Sequence, residues 1–321
     1  MNLGGRLLLT LSVVTLLCAC SSATGSLGPV PSAVASPSPS GLPSEPDLTP
    51  APSPTPSPSF APSDSPGVEP TPTPEGSTIV RGYFYLGGGP GSGGLVPYLF
   101  EVPGTKAVAT AAMTALLERS AVQRDGFAPI SSAIPAGTKL LGLAIKDGVA
   151  TVDLSREFES GGGSASATTR LGQVVFTLTQ FSTVRSVVFQ VEGRTVTVFG
   201  SEGIVLDGPV TRADYLNLLP GLFVDRPAYG AALGNPGRVS GSAQGIFEAT
   251  FRVTILDGAG RTIADQQAMA ACFCESGAFD VTVRYAVPKA QWGTLRVLDG
   301  SAKDGSPENV REYPVWLTPA S

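Results

Sequence analysis

Apolar positions change texture several times along this chain, and each texture predicts a different kind of element. Residues 7–17 (LLLTLSVVTLL) form an uncharged, mainly apolar run of eleven. That length suits the apolar segment of an export signal and is too short to span a bilayer as a helix. No apolar period holds from Ser21 to Ser77. Beyond it, IVRGYFYL (79–86) and LVPYLFEV (95–102) read as strands on either side of a glycine-rich stretch, 87–94. Ala109, Ala112, Met113, Leu116 and Leu117 fall at i, i+3, i+4, i+7 and i+8, which predicts a helix, with Thr105 as its N-cap. KLLGLAIK and VATVDLS flank Asp147-Gly148, a strong hairpin signal. A Gly/Ser-rich turn (160–166) opens a second helix with the apolar stripe Leu171, Val174, Val175 and Leu178. VRSVVFQV (184–191), Glu192-Gly193 and TVTVF follow. The order β-β-α-β-β-α-β predicts an α+β module, with two helices packed on one face of a small mixed sheet.

Helical periods stop after about Leu219. Phe247, Ala249, Phe251, Val253 and Ile255 then alternate with Glu248, Thr250, Arg252 and Thr254, and Phe279, Val281, Val283 and Tyr285 repeat the pattern. Turn signals recur at Asp257-Gly258, Gly277, Pro288, Gly293, Asp299-Gly300 and Asp304-Gly305. About seven short strands with frequent turns predict an all-β sandwich.

Composition explains the stretch without a period. Residues 21–77 contain no Lys or Arg and five acids, and consist largely of Pro, Ser, Thr, Ala and Gly. Such a segment buries too little apolar surface to offset its ordering entropy, so a disordered tether is expected, at about 3.1 Å per residue where polyproline II dominates. The chain as a whole has a formal charge of −5. Arg6 and the five tether acids account for most of it: residues 78–321 hold 20 basic and 21 acidic groups. A near-neutral body with no basic cluster argues against a nucleic-acid partner. The expected division is a signal peptide at 1–19, anchor and linker at 20–77, an α+β domain at 78–222 and a β-sandwich at 223–321.

Leu17-Cys18-Ala19-Cys20 has the form of a lipoprotein processing box: an apolar residue, a small residue before the cysteine, and Cys20 as lipid acceptor. Cys18 fits worse, because Leu17 would sit directly before it. Lipidation at Cys20 would fix the chain to the outer leaflet of the cell membrane without a transmembrane helix. The competing expectation is ordinary cleavage after an alanine and soluble secretion.

The inventory of reactive groups is thin. With no histidine, Ser-His-Asp and Cys-His triads and His-ligated zinc are excluded. Gly89-x-Gly91-x-x-Gly94 has the letters of a dinucleotide fingerprint, but a strand follows it rather than a helix, which predicts a hairpin loop. Asp153, Glu157 and Glu159 could form a carboxylate set for acid–base work or calcium; a turn or capping role for Asp153 is the plainer reading. Asp304-Gly305-Ser306 likewise reads as a turn. Cys272 and Cys274 either form a short disulfide in an oxidising compartment or stand as two buried thiols. No cofactor is expected.

Two stretches resemble known families. IPAGTKLLGLAIKDGVATVDLSREF and RLGQVVFTLTQFSTVRSVVFQVEG, with the Ile-Pro-x-Gly-Thr approach, the Asp-Gly hairpin and Val152-Asp153-Leu154-Ser155, resemble the GerMN domain of sporulation and spore-germination proteins over roughly 79–219. That domain is similar in fold to ring-building-type α+β modules. VSGSAQGIFEATFRVTILDGAGRTI, ESGAFDVTVRY and LDGSAKDGSPENVREYPVWL resemble the Gmad-type immunoglobulin-like domain of bacterial spore-germination proteins over roughly 226–318. The resemblances imply a non-enzymatic binding or assembly module with a protein or cell-wall partner at the envelope, in sporulation, germination or wall processes. The alternatives are a wall hydrolase using two carboxylates such as Asp153 and Glu157, and a receptor with an apolar pocket between its modules.

Overall fold

The computed structural model describes residues 76–87, 93–119, 121–122 (backbone only), 126–272 and 276–320. The expected signal segment, Cys20 and the tether up to residue 75 lie outside the described residues, as do residues 88–92 of the glycine-rich stretch; Ser77, expected in the tether, is the first residue of a strand.

The first module opens with the two strands that the sequence predicts. β1 (Ser77–Leu86) and β2 (Gly94–Pro103) pair antiparallel from Ser77↔Pro103 to Leu86↔Gly94. α1 (Val108–Glu118) buries Ala112, Met113 and Leu116 from the predicted stripe. Its N-cap is Ala107, not Thr105; the Thr105 hydroxyl accepts from Ala107 N at 3.0 Å, so it closes the turn before the helix. β3 (Ala121–Val122) and β4 (Ile130–Ser131) complete a sheet of order β2-β1-β4-β3.

The next four strands form a second sheet. β5 (Leu140–Lys146) and β6 (Val149–Leu154) make the Asp147-Gly148 hairpin, with φ of 53° and 85° at the turn. These values fit a type I′ turn, whose twist matches the flanking strands. α2 (Ser164–Leu178) then crosses over to β7 (Ser186–Val191), which runs parallel to β6. β8 (Arg194–Thr195) ends the order β5-β6-β7-β8. The single small mixed sheet expected from the sequence is therefore two four-stranded sheets, of which the second is mixed.

α2 explains why there are two. Every residue from Thr169 to Leu178 is buried, including the polar ones. At about 100° per residue, Gln173, Thr177 and Gln180 lie on the side opposite the predicted stripe Leu171, Val174, Val175 and Leu178. That polar side meets the edge of β1, because β4 pairs with β1 only at Tyr85 and Leu86. Gln180 Oε1 accepts from Arg81 N at 2.9 Å while its Nε2 donates to Arg81 O at 2.6 Å. Gln173 Nε2 donates to Tyr83 O at 2.7 Å, and Tyr83 N donates to Thr177 Oγ1 at 3.2 Å. Side-chain amides thus satisfy a strand edge that would otherwise be buried unpaired.

TVTVF is not one strand. It leaves the second sheet after Thr195 and re-forms as β9 (Val198–Phe199), paired with β10 (Ile204–Val205). The break carries Phe199 into the core, 5.2 Å from the ring of Phe158. A 3-10 helix, Arg212–Leu218, follows, which the order of elements predicted from the sequence did not include.

The second module is the predicted sandwich, with eight strands rather than about seven. They are β11 (Leu222–Arg226), β12 (Ala232–Leu233), β13 (Gly237–Ala243), β14 (Thr250–Leu256), β15 (Thr262–Met269), β16 (Gly277–Val283), β17 (Gln291–Gly300) and β18 (Pro307–Leu317). The sheets have orders β11-β13-β16 and β12-β18-β17-β14-β15. Their inner faces supply the core, including Val239, Val253, Ile255, Val297, Tyr313 and the Phe251–Phe279 pair at 4.7 Å. The alternation expected from Phe247 onward begins only at Thr250. Phe247–Ala249 is a 3-10 turn with positive φ at Glu248 and Ala249, and Phe247 is half exposed. Outward positions carry cross-strand ion pairs, Arg238–Asp280, Arg252–Asp265 and Arg296–Glu312.

Candidate interaction site and the joint between the modules

A partly buried polar cluster joins the modules, which fall in one compact unit. β1 brings Arg81 and Tyr83 to it on alternate positions, and β11, the first strand of the sandwich, brings Asp225. The Tyr83 hydroxyl donates to Asp225 Oδ1 at 2.8 Å, and Arg81 Nη1 reaches Oδ2 at 3.2 Å. Arg212 closes the cluster from the 3-10 helix. Its guanidinium lies 4.8 Å from the Phe176 ring centre and 5.4 Å from that of Tyr83. Its Nε donates to Thr179 Oγ1 at 2.8 Å and its Nη2 to Phe176 O at 3.1 Å. Burial pushes the Tyr83 phenol up to about 12, and the positive charge of Arg212 opposes that shift. Nearby, Tyr229 N donates to Pro97 O at 2.8 Å and its hydroxyl to Ala128 O at 2.5 Å. Gly94 has no room for a side chain against Pro220 and the Leu218 carbonyl. The joint is thus fixed by directional bonds on three elements, not by apolar contact alone.

Sequence reasoning missed Arg81, Tyr83, Arg212 and Asp225. One local signal was available: Thr211-x-x-Asp214 is a capping box, with Asp214 Oδ2 accepting from Thr211 N at 2.7 Å and Thr211 Oγ1 from Ala213 N at 3.2 Å. It marks the start of the 3-10 helix that carries Arg212.

The residues that the sequence singled out do not converge. Asp153 Oδ1 accepts from Gly193 N at 2.9 Å and so holds the turn after β7. Glu157 sits on an exposed 3-10 turn beside Arg156; a hydrogen bond from the Ser155 side chain is the largest cause holding its carboxyl below the usual range. Asp304 Oδ1 accepts from Ser306 N at 3.0 Å; a hydrogen bond from the Ser306 side chain, and after it this backbone bond, hold the Asp304 carboxyl below the usual range. No group of three His, Cys, Asp or Glu is placed to hold a metal ion among the described residues. The strands flanking the glycine-rich stretch pair with each other, so no helix start follows Gly94. Cys272 is disulfide-bonded, and Cys274 lies outside the described residues. No helix among the described residues is long and apolar enough to cross a membrane.

Among the open grooves that border the first module, two bear on its function. One, of about 830 Å³, lies between β2 and α1 and presents Thr105, Thr110, Thr114, Glu101 and Glu118 over Phe100. The other, of about 600 Å³, lies at the start of α2 among Ser131, Ser132, Ser166, Thr168 and Asn217. The first carries one carboxylate on each wall, Glu101 from β2 and Glu118 from α1, and the second is lined by hydroxyl groups with no carboxylate.

The family model Germane, described as sporulation and spore germination, matches residues 83–197. The model Gmad2, described as an immunoglobulin-like domain of bacterial spore germination, matches residues 222–306. Comparison with curated proteins gives no match. Among solved structures, the first GerMN domain of the sporulation protein GerM from Bacillus subtilis is 22% identical, with 43% of this chain and 99% of that chain covered and a TM-score of 0.36. The tandem GerMN domains of the same protein are 15% identical, with 77% of this chain and 62% of that chain covered and a TM-score of 0.36. These TM-scores are too low to carry weight, so the assignment rests on the two family models. The chain carries a Germane-type α+β module followed by a Gmad2-type immunoglobulin-like module, an architecture linked to sporulation and spore germination.

Proposed function

We propose that this chain is a lipid-anchored, extracytoplasmic, non-catalytic binding or assembly module of the cell envelope, acting in sporulation, germination or a related wall process. The observation that carries the reading is the joint: Asp225 of one module is held by Arg81 and Tyr83 of the other, at 3.2 and 2.8 Å. Modules bonded to each other at their junction present two sets of surfaces to partners together, which lowers the ordering cost of binding. The Asp153 and Glu157 carboxylates support the same reading, since Asp153 is engaged in a turn and Glu157 is paired with Arg156 at 3.6 Å. Anchoring rests on the processing box at Cys20.

Intact mass of the mature protein from its native membrane fraction, with Cys20→Ala beside it, tests the anchor. Acyl chains at Cys20, lost together with membrane retention in the variant, are expected. An unmodified chain in the medium would refute it. Release of muropeptides from purified cell wall by the chain would refute the non-catalytic part.

A further inference from the structure

Several strand edges among the described residues are blunted. α2 side chains occupy the edge of β1, and the outer edge of β2 carries Pro97 and Pro103, with Pro97 O taken by Tyr229 N. Asp265, Gln266 and Gln267 make the edge strand β15 polar. β5 differs. It is the outermost strand of its sheet and, among the described residues, pairs with β6 alone. Its sequence is LLGLAIK, with one charge; Leu141 is 49% exposed and Ile145 41%. In a two-residue hairpin the closing pair, Lys146–Val149, exchanges both hydrogen bonds. Alternation then directs the backbone N–H and C=O of Leu143 and Ile145 away from β6, toward solvent. An apolar edge of this kind is a template for another strand.

We propose that β5 pairs antiparallel with β5 of a second copy of this chain, about a two-fold axis at Ala144. This deepens the assembly reading by naming one partner, and it rests on that reading only for where the pairing takes place. The strand is self-complementary in this register. Leu143 falls opposite the partner's Ile145 and Ile145 opposite the partner's Leu143, with side chains on the face shared by Val152 and Ala150. Lys146 falls opposite the partner's Gly142. Gly142 is paired with Asp153 within its own sheet, and a Cβ there would lie 3.7 Å from that of Asp153. The missing side chain leaves a path for Lys146 to reach the carboxylate of the partner's Asp153, whose Oδ1 accepts from Gly193 N in its own chain. Symmetry makes this contact twice, and no like charges stand opposite one another. The irregularity between Leu140 and Gly142 lies outside the paired residues 142–146. Centring the pair on Leu143 instead would set the outward Lys146 against Leu140, whose partner Leu154 lies on the inner face. Five paired residues make an interface below the usual size for a stable complex, so the dimer is weak in dilute solution and gains from concentration at a surface.

The test uses the full chain with its native cysteines kept. At the axis, Ala144 and its copy form a non-hydrogen-bonded pair with Cα atoms about 4.5 Å apart, within disulfide reach. Mild oxidation of Ala144→Cys should yield a 144–144 linked peptide by mass spectrometry. Thr151→Cys, on the same face one strand further in, sits roughly 14 Å from its copy across three strand spacings and should yield none. The unsubstituted chain should dimerise in sedimentation as concentration rises, and Ile145→Lys, at a half-exposed site that leaves the fold intact by circular dichroism, should weaken this at least tenfold. Absence of the 144–144 peptide, equal linking at 151, a monomer at all concentrations up to about 1 mM, or undiminished dimerisation of Ile145→Lys would overturn the proposal. None of these outcomes bears on acylation at Cys20, so failure of the pairing and failure of the anchor are separately visible.

Discussion

Replacing Tyr83 by Phe removes one hydroxyl from the joint and little else. The ring is fully buried and lies 5.4 Å from that of Phe176, a contact that Phe retains. What is lost is the 2.8 Å bond to Asp225 and the 3.4 Å contact with Arg212 Nη2. A hydrogen bond to a charged acceptor contributes about 1.5–3 kcal/mol. Asp225 keeps Arg81 at 3.2 Å, and its side chain is 25% exposed, so water recovers part of the loss. A destabilisation of about 1.5–2 kcal/mol is expected in equilibrium urea unfolding at neutral pH. Because the effect is pairwise, Tyr83→Phe and Asp225→Asn should couple by about 1 kcal/mol or more in a double-mutant cycle. Additivity to within about 0.5 kcal/mol would refute the joint as drawn. The same residue sets an alkaline signature. Its phenol is raised from 10.0 to about 12 chiefly by burial, so the neutral form is favoured when folded. The stabilisation is fully present below pH 10 and is lost as pH rises through about 12. At about 1.36 kcal/mol per pH unit, this amounts to roughly 2.7 kcal/mol. Tyr83→Phe should therefore show a decline shallower by that order between pH 10 and 12. Tyr215, also raised by burial and then by Asp214, keeps its own contribution. Identical alkaline slopes in both chains would contradict this account of Tyr83.

Two further substitutions test how the modules are built. Gln180→Ala leaves Arg81 N and O without partners on a half-buried edge; a loss of about 1–3 kcal/mol is expected, together with faster amide exchange at Arg81 by mass spectrometry. Unchanged exchange would show that α2 does not seal β1. Gly241→Ala sets a methyl group against the Phe223 carbonyl in the middle of the β11–β13 ladder. Backbone cannot yield as a side chain tip can, so β11 should detach, with a cost of about 3 kcal/mol or more; native thermal stability of this variant would mean that the approach is looser than the structure shows.

Local chemistry was enough to place many elements. β1, β2, α1 and the Asp147-Gly148 hairpin follow from apolar periods and from a turn that needs positive φ. The sandwich follows from two-residue alternation between turn residues, as at Phe279, Val281 and Val283. These signals are legible because the residues that decide them lie within a few positions of one another. The second sheet of the first module was not legible, because a polar helix face normally marks solvent. Here Gln173, Thr177 and Gln180 are polar because they complete a strand some 90–99 positions away. The joint was hidden for the same reason: Arg81 and Asp225 are 144 positions apart, and neither carries a local pattern. The opening of β14 misled for a different reason, since Phe247 and Ala249 keep the alternation while the backbone at Glu248 and Ala249 turns left-handed. The sequence alone thus determined which segments are strands and helices, through short-range sterics and burial. Only the tertiary structure decided which polar groups are buried and which described edges are sealed, as β1 is, or left open, as β5 is, because those depend on partners that the fold brings from far along the chain.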